Sequence, residues 1–206
     1  VVFIFKNKVT KFLFSCPNYF DLWNRTRKRL ENQFKHPLSL EIEPGRYLTA
    51  ESGYLVAEIR AIKSMGKNLF YLLDAGFNDL ARPILYGSYH PMSVVPTDGA
   101  RSDKNGGNKG RPTTDLQQVI VGGPLCESGD IFTQEEGGFV AHRELPRAEV
   151  GQLVVIECAG AYGNVMASNY NSKPLPAELL IHKGKTHLIR SRQTFEDLIQ
   201  NETIPK

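Results

Sequence analysis

Beyond residue 50, apolar and polar positions mostly alternate, and a period of two predicts strands. Leu55, Ala57, Ile59 and Ala61 alternate along one such stretch, and Leu69–Leu73 is a short apolar run stopped by Asp74-Ala75-Gly76. Gln118–Val121, Leu153–Glu157, Glu178–Ile181 and Thr186–Arg190 are further predicted strands. The last two flank Lys183-Gly184-Lys185, which predicts a three-residue hairpin loop with glycine inside. Earlier in the chain the period changes. Tyr19, Trp23, Leu30 and Phe34 recur near 3.6, with Arg25, Arg27, Lys28 and Arg29 on the other faces. This predicts an amphipathic helix over Tyr19–Phe34, with Asn18 as its N-cap. Pro37 closes the connection, and Leu38, Leu40 and Ile42 then alternate with Ser39, Glu41 and Glu43, as in a strand broken by Pro44-Gly45. Thr194 opens a short closing helix, with Asp197 at the capping-box position. Residues 99–114 read as a polar, glycine-rich loop.

The first stretch, Val1–Phe14, is apolar and aromatic but carries Lys6, Lys8 and Lys11. It is too short and too charged for a membrane span, which needs about 20 mostly apolar residues. Its lysines lie within the run rather than before it, so it does not read as a secretory signal. One strand, or a stretch without a partner, is the plain reading.

Composition narrows the class. The chain has 206 residues, which allows one domain, or one domain plus a piece of another. The balance of 25 basic against 22 acidic residues is too even for a nucleic-acid partner. Three cysteines argue against a disulfide framework and fit a reducing compartment.

Some motifs carry no chemistry. Gly184-Lys185-Thr186 is the tail of a phosphate-loop pattern whose leading glycine is replaced by Leu179. Asn24-Arg25-Thr26 and Asn201-Glu202-Thr203 are glycosylation patterns without a secretory context. The five histidines lack metal-ligand spacing, so no metal is expected.

Four clusters do place reactive side chains beside Gly or Pro. Glu43-Pro44-Gly45-Arg46 offers a carboxylate, a close backbone approach and a guanidinium suited to phosphate or carboxylate. Taken alone, a strand-ending turn with a surface arginine explains it better. Asp74–Leu80, followed by Arg82-Pro83, Tyr86-Gly87 and Tyr89-His90, mixes Arg, Tyr and His without forming an amphipathic element. That suits a ligand-facing loop. Gly122–Asp130 holds Cys126 beside Glu127, a pairing suited to proton transfer or cation recognition; a buried cysteine in a turn is the alternative. Gly160-Ala161-Tyr162-Gly163, followed by Ser168–Asn171, frees the Tyr162 ring and hydroxyl to meet a ligand, unless that ring is simply buried in a turn.

In this order, Glu43–Leu48, Asp74–His90, Gly123–Asp130, Gly160–Gly163 and Ser168–Pro174 resemble the C-terminal half of the diaminopimelate decarboxylases. That family lies in the alanine-racemase-like class of pyridoxal-phosphate enzymes. The resemblance runs from about Tyr19 to the end of the chain. Ornithine- and arginine-type decarboxylases share parts of it but usually have Asp after the cysteine. Glu127 and the Tyr86–His90 stretch favour the diaminopimelate branch.

The resemblance implies a mainly β fold with some α: a C-terminal β-barrel or sandwich domain preceded by the last helix and strand of an α/β barrel. It divides the chain into an unmatched leader over 1–18, a barrel remnant over 19–46 and a β-domain over 47–206. It implies pyridoxal 5'-phosphate as cofactor and meso-diaminopimelate as substrate, converted to L-lysine and carbon dioxide in the last step of lysine biosynthesis. It implies a cytoplasmic homodimer, with neither nucleic acid nor membrane as partner. Cys126 is the implied catalytic acid. Arg46, Arg82, Tyr86, Glu127 and Tyr162 are the implied substrate contacts, with Glu127 reading the distal amino group. Glu43, Pro44, Gly45, Arg46 and Tyr162 are the implied cofactor contacts, with Glu43 on the ring nitrogen. Cys126 and Glu127 would serve the site of a partner subunit. The family's Schiff-base lysine lies in a part that this sequence does not match, so the isolated chain is expected to be inactive. A non-catalytic β-domain that at most dimerises is the alternative.

Overall fold

Alternation along β2 (Gly53–Met65) sets the architecture: Leu55, Ala57 and Ile59 point into the core, while Val56, Glu58 and Arg60 point away from it. A computed structural model describes residues 1–6, 16–95 and 115–205. It separates Val1–Asn7 with Arg46–Lys206 as one compact unit from Lys8–Gly45 as another.

In the larger unit, β2 is long enough to serve two sets of neighbours. Its first half pairs antiparallel with β1 (Val2–Lys6) and with β7 (Leu153–Ile156). Its second half pairs antiparallel with β3 (Asn68–Leu73), beyond a register shift between Ile59 and Ala61. A bulge of this kind bends the strand and lets it pass from one sheet surface to the next. β3 continues in parallel to β5 (Leu116–Gly122), which pairs with β6 (Arg143–Pro146). On the other side, β1 runs parallel to β8 (Ala177–His182), which forms a hairpin with β9 (Lys185–Arg190). β4 (Met92–Val95) pairs with β7. The order β6-β5-β3-β2-β1-β8-β9 does not close on itself, so the sheet is open rather than a barrel.

The core between these surfaces contains Phe3, Leu55, Ile59, Tyr71, Val121, Phe132 and Ile156, all at most 2% exposed. Tyr71 brings a hydroxyl into this core, and three groups satisfy it. It lies 3.1 Å from the Pro146 carbonyl and 3.2 Å from Gln117 Oε1, and it accepts from the Ala148 amide at 3.1 Å. A buried hydroxyl left unpaired would cost about 1–3 kcal/mol.

In the smaller unit the predicted helix is present as α1 (Cys16–Phe34), but it begins two residues before Asn18, which lies in its first turn and is not its N-cap. The predicted strand over Leu38, Leu40 and Ile42 is not formed: residues 37–44 pair with no strand among the described residues. Alternation is a signal for a packed ladder, and a ladder needs a neighbour. Instead, Glu31 Oε1 accepts from the Leu38 amide at 3.0 Å, and Arg27 donates to the Leu38 carbonyl at 3.2 Å.

The predicted strands over 55–61, 69–73, 118–121, 153–157, 178–181 and 186–190 are all present. The final hairpin differs in detail. Lys185 pairs with His182, leaving Lys183 and Gly184 as a two-residue loop with φ of 48° and 74°. Two left-handed residues match the right-handed twist of the flanking strands. The closing helix, α4 (Phe195–Ile199), has its capping box: Thr194 Oγ1 accepts from the Asp197 amide, and Asp197 accepts from the Thr194 amide. The polar loop over 99–114 lies outside the described residues.

Candidate active site

The sequence clusters from Arg46 onward are joined by direct contacts within the larger unit. α2 (Gly45–Thr49) leads into a short 3-10 turn, Ala50–Ser52, whose Ala50 carbonyl accepts from the Gly160 amide at 3.0 Å. A Cβ on Gly160 would lie 2.1 Å from the Thr49 carbonyl oxygen, so only glycine permits this approach. The Asn78 carbonyl accepts from the Ser168 amide at 2.8 Å, and the Phe77 and Tyr170 rings lie 5.0 Å apart. The Asp74–Leu80 loop is thereby joined to the segment that follows Tyr162.

α3 (Arg82–Tyr86) delivers the central group. Pro83 lies in its first turn, where a missing N–H is tolerated. Gly87 ends it at φ 58°, and the Gly87 amide bonds back to the Pro83 carbonyl. The Arg82 guanidinium lies 5.3 Å from the Tyr86 ring centroid and 5.4 Å from that of Tyr162. It also donates to Ser88 Oγ at 3.1 Å. Tyr162 takes φ 58°, a left-handed conformation unusual for a tyrosine, and its ring is about half exposed.

His90 lies beneath this surface, 3% exposed. Its Nδ1 is 2.9 Å from the Glu157 carbonyl, which can only accept, so Nδ1 carries the proton. Nε2 has no partner among the described residues. Burial lowers the imidazole pKa, and the charges of Arg82, Arg46 and Arg143 lower it further. Arg143 stacks on Tyr89 at 3.6 Å. Three guanidinium charges act on one buried imidazole here, which suits an anionic ligand.

Cys126 and Glu127 are exposed on the loop after β5. Glu127 Oε1 accepts from Ser128 Oγ at 3.2 Å and from the Gly129 amide at 3.3 Å, within its own loop. Gly129 packs under α3, since a Cβ there would lie 2.6 Å from Ile84 Cδ1. The structure thus brings Arg82, Tyr86 and Tyr162 into contact, with the Arg46 charge close enough to act on His90, while Cys126 and Glu127 face outward on an adjoining loop. Glu43 and Pro44 are exposed residues of the smaller unit, and Gly45 is also exposed at its end.

Two contributors escaped the sequence reading. Ser88 lay in a quoted stretch, but its side chain carried no separate signal. Arg143 sits on a short strand whose alternation gives no hint of its stacking. Among the described residues, no group of His, Cys, Asp and Glu could hold a metal ion, and no helix is long and apolar enough to cross a membrane.

The family model described as "Pyridoxal-dependent decarboxylase, C-terminal sheet domain" matches residues 13–160. A diaminopimelate decarboxylase of Escherichia coli is 49% identical over 187 residues, covering 91% of this chain and 42% of that relative. Its counterpart in Streptomyces coelicolor is 49% identical over 187 residues, covering 91% and 40%. The chain therefore spans about two fifths of the length of these relatives. A crystal structure of a diaminopimelate decarboxylase superposes with TM-score 0.77 at 43% identity, covering 96% of this chain and 46% of that one. The Helicobacter pylori enzyme, solved in complex with L-lysine, superposes with TM-score 0.63 at 36% identity, covering 78% and 34%.

Proposed function

Since the chain belongs to the pyridoxal-dependent decarboxylases, through their C-terminal sheet domain, we propose that it serves the decarboxylation of meso-diaminopimelate to L-lysine and carbon dioxide. The observation that carries this reading is the Arg82 guanidinium set between the Tyr86 and Tyr162 rings. A guanidinium with fixed orientation recognises a carboxylate by two parallel hydrogen bonds. Diaminopimelate has an amino-acid head at each end. A site that reads both ends rejects shorter or one-headed analogues strongly.

The residues fit the cofactor as well. Arg46, Arg82 and Arg143 give the region excess positive charge, and the unpartnered Nε2 of His90 leaves a buried polar atom to be satisfied. An anionic phosphate or carboxylate answers the first; Nε2, left without a proton by the Nδ1–H bond, can only accept and calls for a donor such as a hydroxyl. When bound, pyridoxal phosphate supplies the electron sink for the pair left by the departing carboxyl group. The chain's own residues do the rest. Arg82 and Arg46 orient the carboxylate, and Tyr86 and Tyr162 wall the site with ring faces. Glu43 would hold the proton on the cofactor's ring nitrogen, with Pro44 and Gly45 shaping the approach. Cys126 delivers a proton to the substrate carbon, and Glu127 receives the distal ammonium group. Both stand exposed in the single chain, as residues that complete a partner subunit's site would. We read the working form as a homodimer in the cytoplasm.

The test is lysine formation from meso-diaminopimelate with pyridoxal phosphate present, comparing the protein with Cys126→Ala. Lysine from the former and far less from the latter supports the reading; equal rates overturn the role of Cys126. A second reading is a sheet domain that pairs without catalysing. An absence of lysine from a folded, dimeric protein supports that one.

A further inference from the structure

Both carboxylate oxygens of Asp130 are engaged by backbone amides from different loops. Oδ1 accepts from the Phe77 amide at 2.8 Å, and Oδ2 accepts from the Leu125 amide at 2.8 Å. The residue is 4% exposed. Space for it is reserved by glycine: a Cβ on Gly123 would lie 2.2 Å from Oδ2, and one on Gly76 would lie 3.0 Å from Oδ1.

Phe77 lies on the loop that leads to Arg82 and Tyr86. Leu125 immediately precedes Cys126 and Glu127. The same segment closes on itself, because the Asp130 amide donates to the Glu127 carbonyl at 3.1 Å and the Gly123 amide donates to the Asp130 carbonyl at 2.9 Å. We propose that Asp130 is a positioning residue, which fixes the loop of Cys126 and Glu127 against the loop that supplies Arg82 and Tyr86. The roles of those four side chains rest on the decarboxylase reading; the clasp itself rests on geometry.

A carboxylate is the group this geometry requires. Two N–H groups face it, so both of its oxygens must accept. An amide in its place accepts from one loop and turns its own NH2 group toward the other. Burial raises the Asp130 pKa, and the two backbone amides oppose that shift. Without Asp130, Cys126 is still tethered through β5, but among the described residues nothing of comparable directionality ties residue 125 to residue 77.

The experiment uses the full chain with Asp130→Ala and Asp130→Asn, checking each fold by circular dichroism. Amide hydrogen exchange is read residue by residue. In the alanine variant, Phe77 and Leu125 are expected to exchange at least ~10-fold faster, since each loses a hydrogen bond to a charged acceptor. In the asparagine variant only one of the two is expected to accelerate. Val119 and Val121, in the core of β5, remain at the wild-type rate. Iodoacetamide labelling of Cys126 is expected to change relative to that of Cys158. Unchanged exchange at both amides in Asp130→Ala overturns the clasp. Uniform acceleration through β5 overturns it too, because the residue would then be a general stabiliser.

Steady-state kinetics separate positioning from mere support. With the variant fully folded, kcat is expected to fall about tenfold while KM rises, because Cys126 and Glu127 shift together; tenfold corresponds to about 1.4 kcal/mol. Accelerated exchange with unchanged kcat and KM overturns the positioning role. If the wild-type chain forms no lysine, the non-catalytic reading stands instead, and the exchange data alone decide the clasp.

Discussion

Replacing Phe3 with alanine tests the placement of β1 within the sheet. In the strand order, β1 is the link between β2 and the β8–β9 hairpin, pairing Phe3 with Leu55 on one side and with Glu178 on the other. The Phe3 ring is 0% exposed and lies 6.4 Å from that of Phe5. A Cβ on Gly163 would come within 3.0 Å of Phe3 Cε1, so the ring also supports the backbone just after Tyr162. Deleting a fully buried phenyl ring costs about 3–5 kcal/mol, through lost transfer energy and the cavity left behind. For a domain stable by roughly 5–15 kcal/mol, that is a large share. With a urea dependence of about 2 kcal/mol per molar, the midpoint drops by roughly 1.5–2.5 M. The assay is urea unfolding followed by circular dichroism, with Lys6→Ala as control. Lys6 is exposed and only caps the Tyr54 ring at 4.9 Å, so its loss is expected to cost under about 1 kcal/mol. A Phe3→Ala protein within 1 kcal/mol of wild type would refute the seating of β1.

Three further outcomes follow from local geometry. Burial raises the Asp79 pKa from 3.8 to about 6, so the folded state holds that proton more tightly than the unfolded chain. The resulting stability is full below pH 3.8 and is lost as pH rises through about 6, by roughly 3 kcal/mol. Asp79→Asn removes this slope and keeps an acceptor for the Gly76 amide, so parallel pH–stability curves for the two proteins would contradict the assignment. Arg82→Lys retains the charge but not the planar group, and is expected to raise KM about tenfold or more with the fold unchanged; binding and melting curves check it. Gly160→Ala forces a Cβ to 2.1 Å from the Thr49 carbonyl oxygen and is expected to cost at least about 2 kcal/mol, read by thermal melting.

Much of this fold is legible in the chain because a half-buried strand writes its own alternation. β2 shows it plainly in Leu55, Ala57 and Ile59. β4 and β6 are four residues each and carry neither a sustained alternation nor the unbroken apolar run that marks the equally short β7. The alternation at Leu38, Leu40 and Ile42 reads like that of β2, yet those residues have no ladder, since pattern reports side-chain preference and pairing needs a partner. The closing helix was legible to the residue because Thr194 and Asp197 act only on each other's backbone. The family motifs named Arg82, Tyr86 and Tyr162, but their mutual contact depends on the left-handed turn at residue 162, which no local rule assigns to tyrosine. His90 was visible as a residue type; its buried, singly bonded state follows from tertiary packing.

The way Arg82 is held bears on what it is for. Among the described residues it makes no ion pair; two aromatic faces and one hydroxyl fix it. A carboxylate partner would orient the guanidinium equally well but would neutralise it, and a ligand would then have to displace that partner. Ring faces fix orientation while leaving the N–H edges and the charge available. Tyr162 provides one face from a backbone conformation that costs on the order of 1 kcal/mol, and Gly160 and Gly163 pack closely enough on either side to hold it there. The glycines of this motif thus act on the ligand indirectly: they lock a strained turn, the turn places a ring, and the ring presents an unneutralised cation.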